Sequence, residues 1–256
     1  MAEVKKANAS IKQKDEISPG VYSMCIEEME IAQLAKPGQF LSLYMKEGSR
    51  LLPRPISICE IDKEKGLLRI VYRVVGKGTM ELSEYEVDST VDIMGPLGNG
   101  FMIGEEKSAI LIGGGIGIPP MLELAKQLQC KVTIVLGYRD AIFLADEFQP
   151  YGDVYIATED GSCGTQGNVI DAIRQHNLSA DIIYACGPTP MLRGVKAYAA
   201  EKSIVAQLSL EEKMACGIGA CLACVCKSKE KDHHTNVNNK RICKDGPVFY
   251  ADEIEI

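Results

Sequence analysis

Five of the ten cysteines in this 256-residue chain fall between positions 216 and 243. The first three follow the spacing C-x4-C-x2-C, and another comes later, in the segment RICKDGPVF. Four cysteines in this arrangement are typical of a plant-type [2Fe–2S] cluster. A loop that supplies three thiolates must curl tightly, and Gly217 and Gly219 permit that curvature. We therefore expect residues 208–256 to form a small cluster-binding unit. Its expected ligands are Cys216, Cys221, Cys224 and Cys243.

A structural zinc site is the alternative for these cysteines. Zinc sites favour two short C-x2-C pairs, whereas Cys243 stands alone in the sequence. Cys226 follows the third ligand closely and is an additional candidate, which we expect to be a spectator. His233 and His234 lie in the charged stretch KEKDHHTN, which favours solvated loop residues over metal ligands.

The remaining cysteines are scattered among apolar or turn residues, which favours buried small side chains. They are Cys25, Cys59, Cys130, Cys163 and Cys186. The N-terminus has no apolar core after its basic residues, so it does not resemble a secretory signal. The most apolar stretch, AILIGGGIGIPPMLELA, contains two prolines and a glutamate, so we do not expect it to span a membrane. These features predict a cytoplasmic protein with free thiols.

The charge balance argues against nucleic acid or an anionic membrane as a general partner. The chain has 28 basic and 35 acidic residues, for a net charge of −7 and a pI near 5.2. A nucleic-acid-binding domain would instead carry a basic patch and a high pI.

The first part of the chain, residues 1–105, reads as short strands separated by turn residues, which predicts a small antiparallel β-barrel. The run RPIS opens one of these strands, and its arginine is suited to pair with a phosphate. The runs VYR and GT follow in the next strand and turn, where N–H and hydroxyl donors suit a pyrophosphate. The candidate flavin-binding residues are Arg54, Pro55, Ile56, Ser57, Val71, Tyr72, Arg73, Gly78 and Thr79.

From residue 106 to residue 207 the pattern changes to buried strands that alternate with helices, which predicts a doubly wound α/β nucleotide-binding domain. The first strand, SAILI, runs into the loop GGGIGIPP, which lets a phosphate approach the start of a helix. This loop lacks the G-x-G-x-x-G fingerprint, so the alternative is a tight strand-to-helix turn. A second loop, CGP, ends a later strand at the same predicted sheet edge. The candidate nucleotide-binding residues are Gly113, Gly114, Gly115, Gly117, Cys186, Gly187 and Pro188.

An acidic segment, Thr158-Glu159-Asp160-Gly161, ends the strand between these two loops. A carboxylate suits a free ribose hydroxyl better than a 2′-phosphate, because two anions repel. The sequence therefore favours NAD over NADP. Cys186 is a candidate for orienting the nicotinamide, and core packing is the alternative role.

The order of these motifs resembles the ferredoxin–NADP reductase superfamily over nearly the whole chain. The segments RPISI, VYRVVGKGT, MACGIGACLAC and CKDGPVF are more closely similar to the electron-transfer subunits of B-type dihydroorotate dehydrogenases. The superfamily's usual motif is Arg-x-Tyr-Ser, and Ile56 stands here at the tyrosine position. The segment between Cys224 and Cys243 is also longer than usual.

The resemblance implies an α+β multidomain fold with FAD in the barrel, NAD at the α/β sheet edge and a [2Fe–2S] cluster on the four cysteines. It also implies a separate FMN-containing catalytic subunit in a hetero-oligomer, a heterotetramer by resemblance, that serves pyrimidine (UMP) biosynthesis. Because a cluster carries single electrons and NAD takes a hydride, a flavin must stand between them. We therefore expect electrons to pass from FMN through the cluster and FAD to NAD⁺. No side chain is required as a general acid or base.

Two other functions fit parts of the same pattern. One is a reductase subunit of the same architecture that serves ferredoxin or sulfur chemistry, and the CGIGAC loop argues against it. A zinc-stabilised nucleotide-binding module would hold zinc and no flavin. We further expect the cluster loop and the DGPVF tail to be docking surfaces for a partner.

Overall fold

A computed structural model describes residues 3–48, 51–139, 141–231 and 236–256 of the chain. His233 and His234 lie outside the described residues. The structure contains an N-terminal barrel, a central α/β sheet and a small C-terminal sheet, as the sequence predicts. Among the described residues, none of the helices combines the length and apolar character needed to cross a bilayer.

The N-terminal barrel is closed and antiparallel, with strand order β1-β2-β5-β4-β3-β6. Its strands are β1 (Lys5–Ser18), β2 (Val21–Glu27), β3 (Phe40–Tyr44), β4 (Arg54–Asp62), β5 (Leu67–Arg73) and β6 (Thr90–Leu97). Its helices are α1 (Met29–Leu34) and α2 (Lys77–Glu84). Alternate aliphatic side chains, such as Leu41 and Leu43, point inward and fill the barrel with a core of its own.

The central sheet has seven strands in the order β10-β9-β8-β7-β11-β12-β15. Its strands are β7 (Ser108–Gly114), β8 (Lys131–Tyr138), β9 (Asp153–Thr158), β10 (Thr165–Gln166), β11 (Ile182–Cys186), β12 (Val205–Ser209) and β15 (Val248–Tyr250). The helices are α3 (Pro119–Gln127), α4 (Ala145–Phe148), α5 (Val169–Gln175) and α6 (Thr189–Lys202). All pairs are parallel except β12 with β15. Two buried clusters of apolar side chains cover this sheet.

The C-terminal segment forms a sheet of three strands, β13 (Val225–Ser228), β14 (Asn239–Arg241) and β16 (Ile254–Glu255). Between β14 and β16 the chain leaves this small sheet, and β15 pairs with the edge of the central sheet. The DGPVF tail is therefore a core element, and the expectation that it is a docking surface is wrong. Val248 and Phe249 are buried because the edge of the central sheet needs an apolar cover.

A buried glutamine fixes the connection between the barrel and the central sheet. Gln207 is fully buried on β12, and its amide donates to the Met102 carbonyl and accepts from the Met102 N–H. Tyr184 donates to the same carbonyl over 3.2 Å. These bonds hold the connecting segment against the sheet, so that the two units share a defined orientation.

A group of ion pairs joins the same two units at another place. Arg69 on β5 pairs with Glu60 on β4, and it also reaches Glu147 on α4. Lys126 on α3 pairs with Glu60 from the side of the central sheet. Glu123, a buried residue on α3, accepts the N–H of Ile61 over 2.8 Å.

Candidate cofactor sites

A cavity of about 680 Å³ lies where the three parts of the structure meet. The barrel contributes most of its wall, and this part contains eight of the nine residues expected to bind flavin. These eight are Arg54, Pro55, Ile56, Ser57, Val71, Tyr72, Arg73 and Thr79. Ile116 of the glycine loop lines the cavity from the central sheet, and Met214 lines it from the chain that leads to Cys216.

Gly78, the ninth candidate, lies behind the wall of the cavity and determines the course of Arg54. A side-chain carbon at residue 78 would lie 2.1 Å from the Arg54 Nε, so glycine leaves the space that the guanidinium occupies. The guanidinium therefore crosses the first turn of α2, whose backbone N–H groups have no partners within the helix. A cation beside a helix N-terminus is a suitable environment for a phosphate.

Unpartnered buried polar atoms in this cavity support a polar ligand. Within the described residues, the Arg54 Nε and the Tyr72 hydroxyl are buried without a hydrogen-bond partner. Burying such groups unsatisfied costs about 1–3 kcal/mol each. The phosphates and ring system of FAD offer acceptors for these groups, so the residues present fit a flavin nucleotide.

Thr79 contributes differently from the expectation. Its hydroxyl accepts the N–H groups of Val75 and Gly76 and donates to the Gly76 carbonyl. The hydroxyl is thus occupied in fixing the start of α2. Its role is to present the helix N-terminus, and the expected direct bond from the Thr79 hydroxyl to a pyrophosphate is not supported by this geometry.

The two candidate nucleotide-binding loops lie side by side at the carboxyl edge of the central sheet. Cys186 pairs in register with Gly113, because β11 and β7 are parallel neighbours. A side-chain carbon on Gly117 would come within 2.5 Å of the Cys186 carbonyl group and 2.6 Å of the Gly187 Cα. Only glycine permits this approach, so the loops GGGIGI and CGP form one surface. Pro188 lies exposed at the start of α6, next to that surface.

A second cavity, of about 260 Å³, lies between the barrel and this sheet edge. It is lined by Gly115 of the glycine loop, by Arg139 after β8 and by Arg73 of the barrel. Arg73 therefore borders both cavities. A nucleotide bound at the sheet edge would lie directly beside the larger cavity.

The acidic segment after β9 lies at the same sheet edge. Glu159 and Asp160 are exposed there, and Asp160 accepts the N–H of Ser162 over 3.0 Å. Hydrogen bonds from Ser162 hold the pKa of Asp160 below its usual value, so the carboxylate stays ionised. Negative charge at this place disfavours a 2′-phosphate.

The segment that follows β12 contributes cavity residues that the sequence analysis missed. Residues Ser209 to Met214 line the larger cavity opposite the barrel. Glu211 faces this space. Loss of solvating water raises the pKa of its carboxyl group. Burial, and then the charge of Glu211, raise the pKa of the Cys186 thiol, which therefore stays protonated. The segment begins at the carboxyl end of a parallel strand, and this position is the signal that could have identified it.

The four expected cluster ligands come together as two pairs. Cys221 is one of the groups that lower the pKa of Cys216, and the Cys243 N–H donates to the Cys224 Sγ over 3.4 Å. No three ligand-type side chains within the described ranges are arranged to hold one metal ion. A zinc site requires four ligands around a single ion, whereas a two-iron cluster requires two thiolates at each iron. Two neighbouring pairs of cysteines suit a two-iron cluster.

Backbone N–H groups point at the sulfur atoms of this site. Gly219 donates to the Cys243 Sγ over 3.1 Å, and Ala220 donates to the Cys216 Sγ over 3.3 Å. Gly217 and Gly219 have φ values of +70° and +82°, which non-glycine residues rarely adopt. Partial burial raises the pKa of Cys216, but the N–H groups and the Cys221 thiol outweigh it and lower that pKa to about 6. Burial, reinforced by Cys224, raises the pKa of Cys243 to about 12.

The fourth ligand candidate is fixed by contacts of the turn that carries it. Arg241 and Asp245 lie on either side of Cys243 in the sequence, and Arg241 donates to Asp245 over 3.0 Å. Asn99, beyond β6 of the barrel, donates to the carbonyls of Lys244 and Asp245. The barrel therefore helps to position the turn.

Cys226 lies on β13, where it pairs with Lys240 of β14. Burial raises the pKa of its thiol, and its main polar neighbour is Lys240 rather than another cysteine. Of the five scattered cysteines, Cys59 and Cys186 are buried as expected. The other three are only half-buried, so full burial was the wrong expectation for them. These three are Cys25, Cys130 and Cys163.

Three protein-family models match consecutive parts of the chain. The oxidoreductase FAD-binding domain matches residues 8–101, and the oxidoreductase NAD-binding domain matches residues 111–197. The iron-sulfur cluster binding domain of dihydroorotate dehydrogenase B matches residues 211–255. The cofactors of this chain are therefore FAD, NAD and an iron–sulfur cluster.

Solved structures are similar to this chain as well. A structure of NADH-dependent reduced ferredoxin-NADP oxidoreductase has a TM-score of 0.87 and 32% sequence identity, and the match covers 97% of this chain and 90% of that chain. A ferredoxin reductase in carbazole 1,9a-dioxygenase has a TM-score of 0.68 and 19% identity over 78% of this chain and 67% of that chain, and shares the fold.

Curated relatives are similar over almost the full length. A protein of Fusobacterium nucleatum subsp. nucleatum is 41% identical over 266 residues, which cover 99% of this chain and all of the relative. A protein of Bacillus cereus (strain AH187) is 41% identical over 98% of this chain and 99% of its own length. Both are named dihydroorotate dehydrogenase B (NAD(+)), electron transfer subunit. The chain belongs to this family of dihydroorotate dehydrogenase B electron transfer subunits.

Proposed function

We propose that this chain passes electrons from a separate FMN-containing dihydroorotate dehydrogenase subunit to NAD⁺, in pyrimidine biosynthesis. One observation carries the proposal. The larger cavity is bordered at once by the barrel, by Ile116 of the nucleotide-binding loop and by Met214 of the segment leading to Cys216. A flavin held there would be in contact with both neighbouring sites.

The bound cofactors would supply the redox chemistry, with flavin linking one-electron and two-electron carriers. The protein's own residues have three tasks. Arg54 and the start of α2 hold phosphate, Tyr72 and Ser57 line the cavity, and the cysteine loop holds iron. We propose that the units responsible are residues 1–105, 106–207 and 208–256, with β15 of the third unit completing the sheet of the second.

We propose NAD rather than NADP as the nucleotide. Support comes from Glu159 and Asp160, two exposed carboxylates at the carboxyl end of β9. The expected result is a kcat/KM at least tenfold higher with NAD⁺ than with NADP⁺. A preference for NADP⁺ would contradict this part of the proposal.

We propose that the catalytic subunit docks on the cluster loop, forming a hetero-oligomer. The loop presents Cys221 to solvent, with Ile218 and Leu222 about half exposed beside it, at 52% and 49%. Exposed apolar side chains beside an accessible cluster ligand suit a contact that brings two redox centres close together. The ten free cysteines suit a reducing, cytoplasmic compartment.

The test is a reconstitution of the full-length chain with an FMN-containing dihydroorotate dehydrogenase subunit. Dihydroorotate should reduce NAD⁺ when both proteins are present, and neither protein alone should do so. The matched controls omit iron or FAD from the preparation of this chain. NAD⁺ reduction that proceeds without this chain, or without its cluster, would refute the proposal.

A reductase subunit acting with ferredoxin is the second candidate. It is favoured by the likeness to the NADH-dependent reduced ferredoxin-NADP oxidoreductase, which is 32% identical to this chain. The same assay distinguishes the two candidates when reduced ferredoxin replaces the dihydroorotate-oxidising subunit. NAD⁺ reduction with ferredoxin alone, and none with the FMN subunit and dihydroorotate, would establish the second candidate.

A further inference from the structure

Ser42 is a fully buried polar residue on β3 of the barrel. Its neighbours Leu41 and Leu43 point into the barrel core, so Ser42 points outward from the opposite face of the strand. Within the described residues, the Ser42 Oγ has no hydrogen-bond partner. A serine in such a position gains nothing for folding over alanine, because its hydroxyl loses water without gaining a bond.

The surface that covers Ser42 is the cysteine loop. A side-chain carbon built on Gly217 would lie 3.0 Å from the Ser42 Oγ, so the hydroxyl touches the residue that follows Cys216. The Met94 side chain, which pairs across from Ser42 on β6, borders the same glycine. Tyr44 lies two residues further along β3. Burial raises the pKa of Tyr44, and the nearby Cys216 raises it further. The loop segment that carries the first cluster ligand therefore packs against this outer face of β3.

The same face of the barrel also borders the larger cavity. Ser42 pairs across the strands with Pro55, and Phe40 pairs with Ser57. Directly opposed residues in antiparallel strands have side chains on one face, about 5 Å apart. Three of these residues, Phe40, Pro55 and Ser57, line the cavity, and Ser42 does not. Ser42 thus lies beside the flavin cavity but beneath the cysteine loop.

We propose that the Ser42 hydroxyl donates a hydrogen bond to a cluster sulfur atom on the Cys216 side. This inference rests on the proposed seating of the cluster on the four cysteines. The sulfur atoms of a reduced cluster carry more negative charge than those of the oxidised cluster. A hydrogen bond to them stabilises the reduced state and raises the reduction potential. Ser42 is therefore a positioning residue that sets the potential of the cluster relative to that of the flavin.

The experiment compares the wild-type chain and Ser42→Ala, each carrying flavin and cluster, by redox titration. The cluster is followed by electron paramagnetic resonance and the flavin by visible absorbance. We expect Ser42→Ala to lower the reduction potential of the cluster by up to ~59 mV. This shift corresponds to a tenfold change in the one-electron equilibrium constant. The flavin potential should not change. Electron–nuclear double resonance in D₂O should show one exchangeable proton coupling fewer at the reduced cluster of Ser42→Ala.

Ser228→Ala is the matched control. Ser228 is a buried serine in the small C-terminal sheet, and its hydroxyl is already bonded to the Glu230 carbonyl over 2.7 Å. This variant should leave the cluster potential and the proton couplings unchanged. Ser42→Thr keeps the hydroxyl and should retain the exchangeable coupling.

The outcomes separate the inference from the proposed function. An intact cluster signal with unchanged potential and couplings in Ser42→Ala would overturn the role of the hydroxyl. A shift of the flavin potential alone would overturn it too, because the hydroxyl would then serve the flavin. Failure of the wild-type chain to hold any iron would instead refute the proposed function.

Discussion

Arg54 lies across the first turn of α2 because residue 78 is a glycine. Its Nε is buried without a partner among the described residues, and the cavity lies in front of it. The Arg54 Nε is thus available to a ligand in the cavity. A mutation here should consequently affect binding more than folding.

We expect Arg54→Ala to weaken FAD binding about 10- to 150-fold. A hydrogen bond from a charged group contributes about 1.5–3 kcal/mol, and this range corresponds to that change in Kd. Flavin fluorescence titration of the apoprotein measures it. Arg174→Ala is the control, since Arg174 is exposed on α5 and pairs with Glu201 on the surface. Equal flavin affinity in the wild type and Arg54→Ala would refute the assignment.

We expect Cys226→Ser to keep its cluster and Cys221→Ser to lose it. Cys226 lies on β13 against Lys240, whereas Cys221 lies in the cysteine loop and is one of the groups that lower the pKa of Cys216. Iron content per chain and the visible absorbance of the cluster distinguish the two variants. If Cys226→Ser lost iron and Cys221→Ser retained it, Cys226 would be the ligand and Cys221 the spectator.

At the scale of elements, β4, β5, α3 and α4 are joined by one ionic group. Glu60 accepts from both Arg69 and Lys126, and its side chain is only 22% exposed. Burial raises the pKa of Glu60, but the hydrogen bonds from Lys126 and Arg69 outweigh it, so that the pKa lies below its ordinary value. These bonds stabilise the contact between the barrel and the central sheet.

The pH dependence of unfolding should reveal this contribution. Because the folded-state pKa of Glu60 is depressed, its contribution is complete above the ordinary value of 4.5 and disappears as pH falls through the folded-state pKa. We expect Glu60→Gln to lower the free energy of unfolding by about 1.5–3 kcal/mol at neutral pH. The difference from wild type should shrink in acid.

Denaturant unfolding at a series of pH values measures this difference. Glu201→Gln is the control, because Glu201 forms an exposed pair and should change stability little. A difference between wild type and Glu60→Gln that grows as pH falls would contradict the assignment.

Elements with a strong local pattern were predictable from the sequence. The run KVTIVLGY coincides with β8, and the runs SAILI and PPMLELAKQLQ overlap β7 and α3. By contrast, β1 was not identified, because its sequence KKANASIKQKDEIS is mostly polar and only part of it is buried. β15 was missed as well, since three residues carry no periodicity and only pairing with β12 makes them a strand.

At the scale of the whole molecule, the candidate site was predictable wherever a motif lay on one segment. The residues of RPIS line one cavity and the four cysteines lie near one another, because each set is local or joined by a recognisable spacing. Glu211 and Met214 were not predictable in this way. They reach the cavity only because the central sheet packs against the barrel, and no local pattern encodes that contact.

The strand β15 connects the stability of the central sheet to the cysteine site. Phe249 is buried in the same apolar cluster as Leu208, Cys224 and Cys243. We expect Phe249→Ala to lower the free energy of unfolding by about 3–5 kcal/mol and to reduce the iron content per chain. Thermal unfolding and iron analysis of the same sample measure both effects.

Phe148→Ala provides the matched control for that variant. Phe148 is fully buried on the other side of the central sheet, in a separate apolar cluster. It should lower stability to a similar extent while leaving iron content near that of wild type. Equal iron loss in both variants would show that instability alone, rather than β15, governs the cluster.

The path of the chain through β12, β13, β15 and β16 has a consequence for how the protein responds to cutting. The chain leaves the central sheet at Ser209, builds most of the small sheet, returns for β15 and then closes the small sheet with β16. The chain therefore contributes strands alternately to the two sheets and links them. A single nick in the exposed stretch Glu211–Lys213 would leave both fragments paired along β12 with β15. The cysteine-bearing piece would stay attached to the rest of the protein without a peptide bond between them.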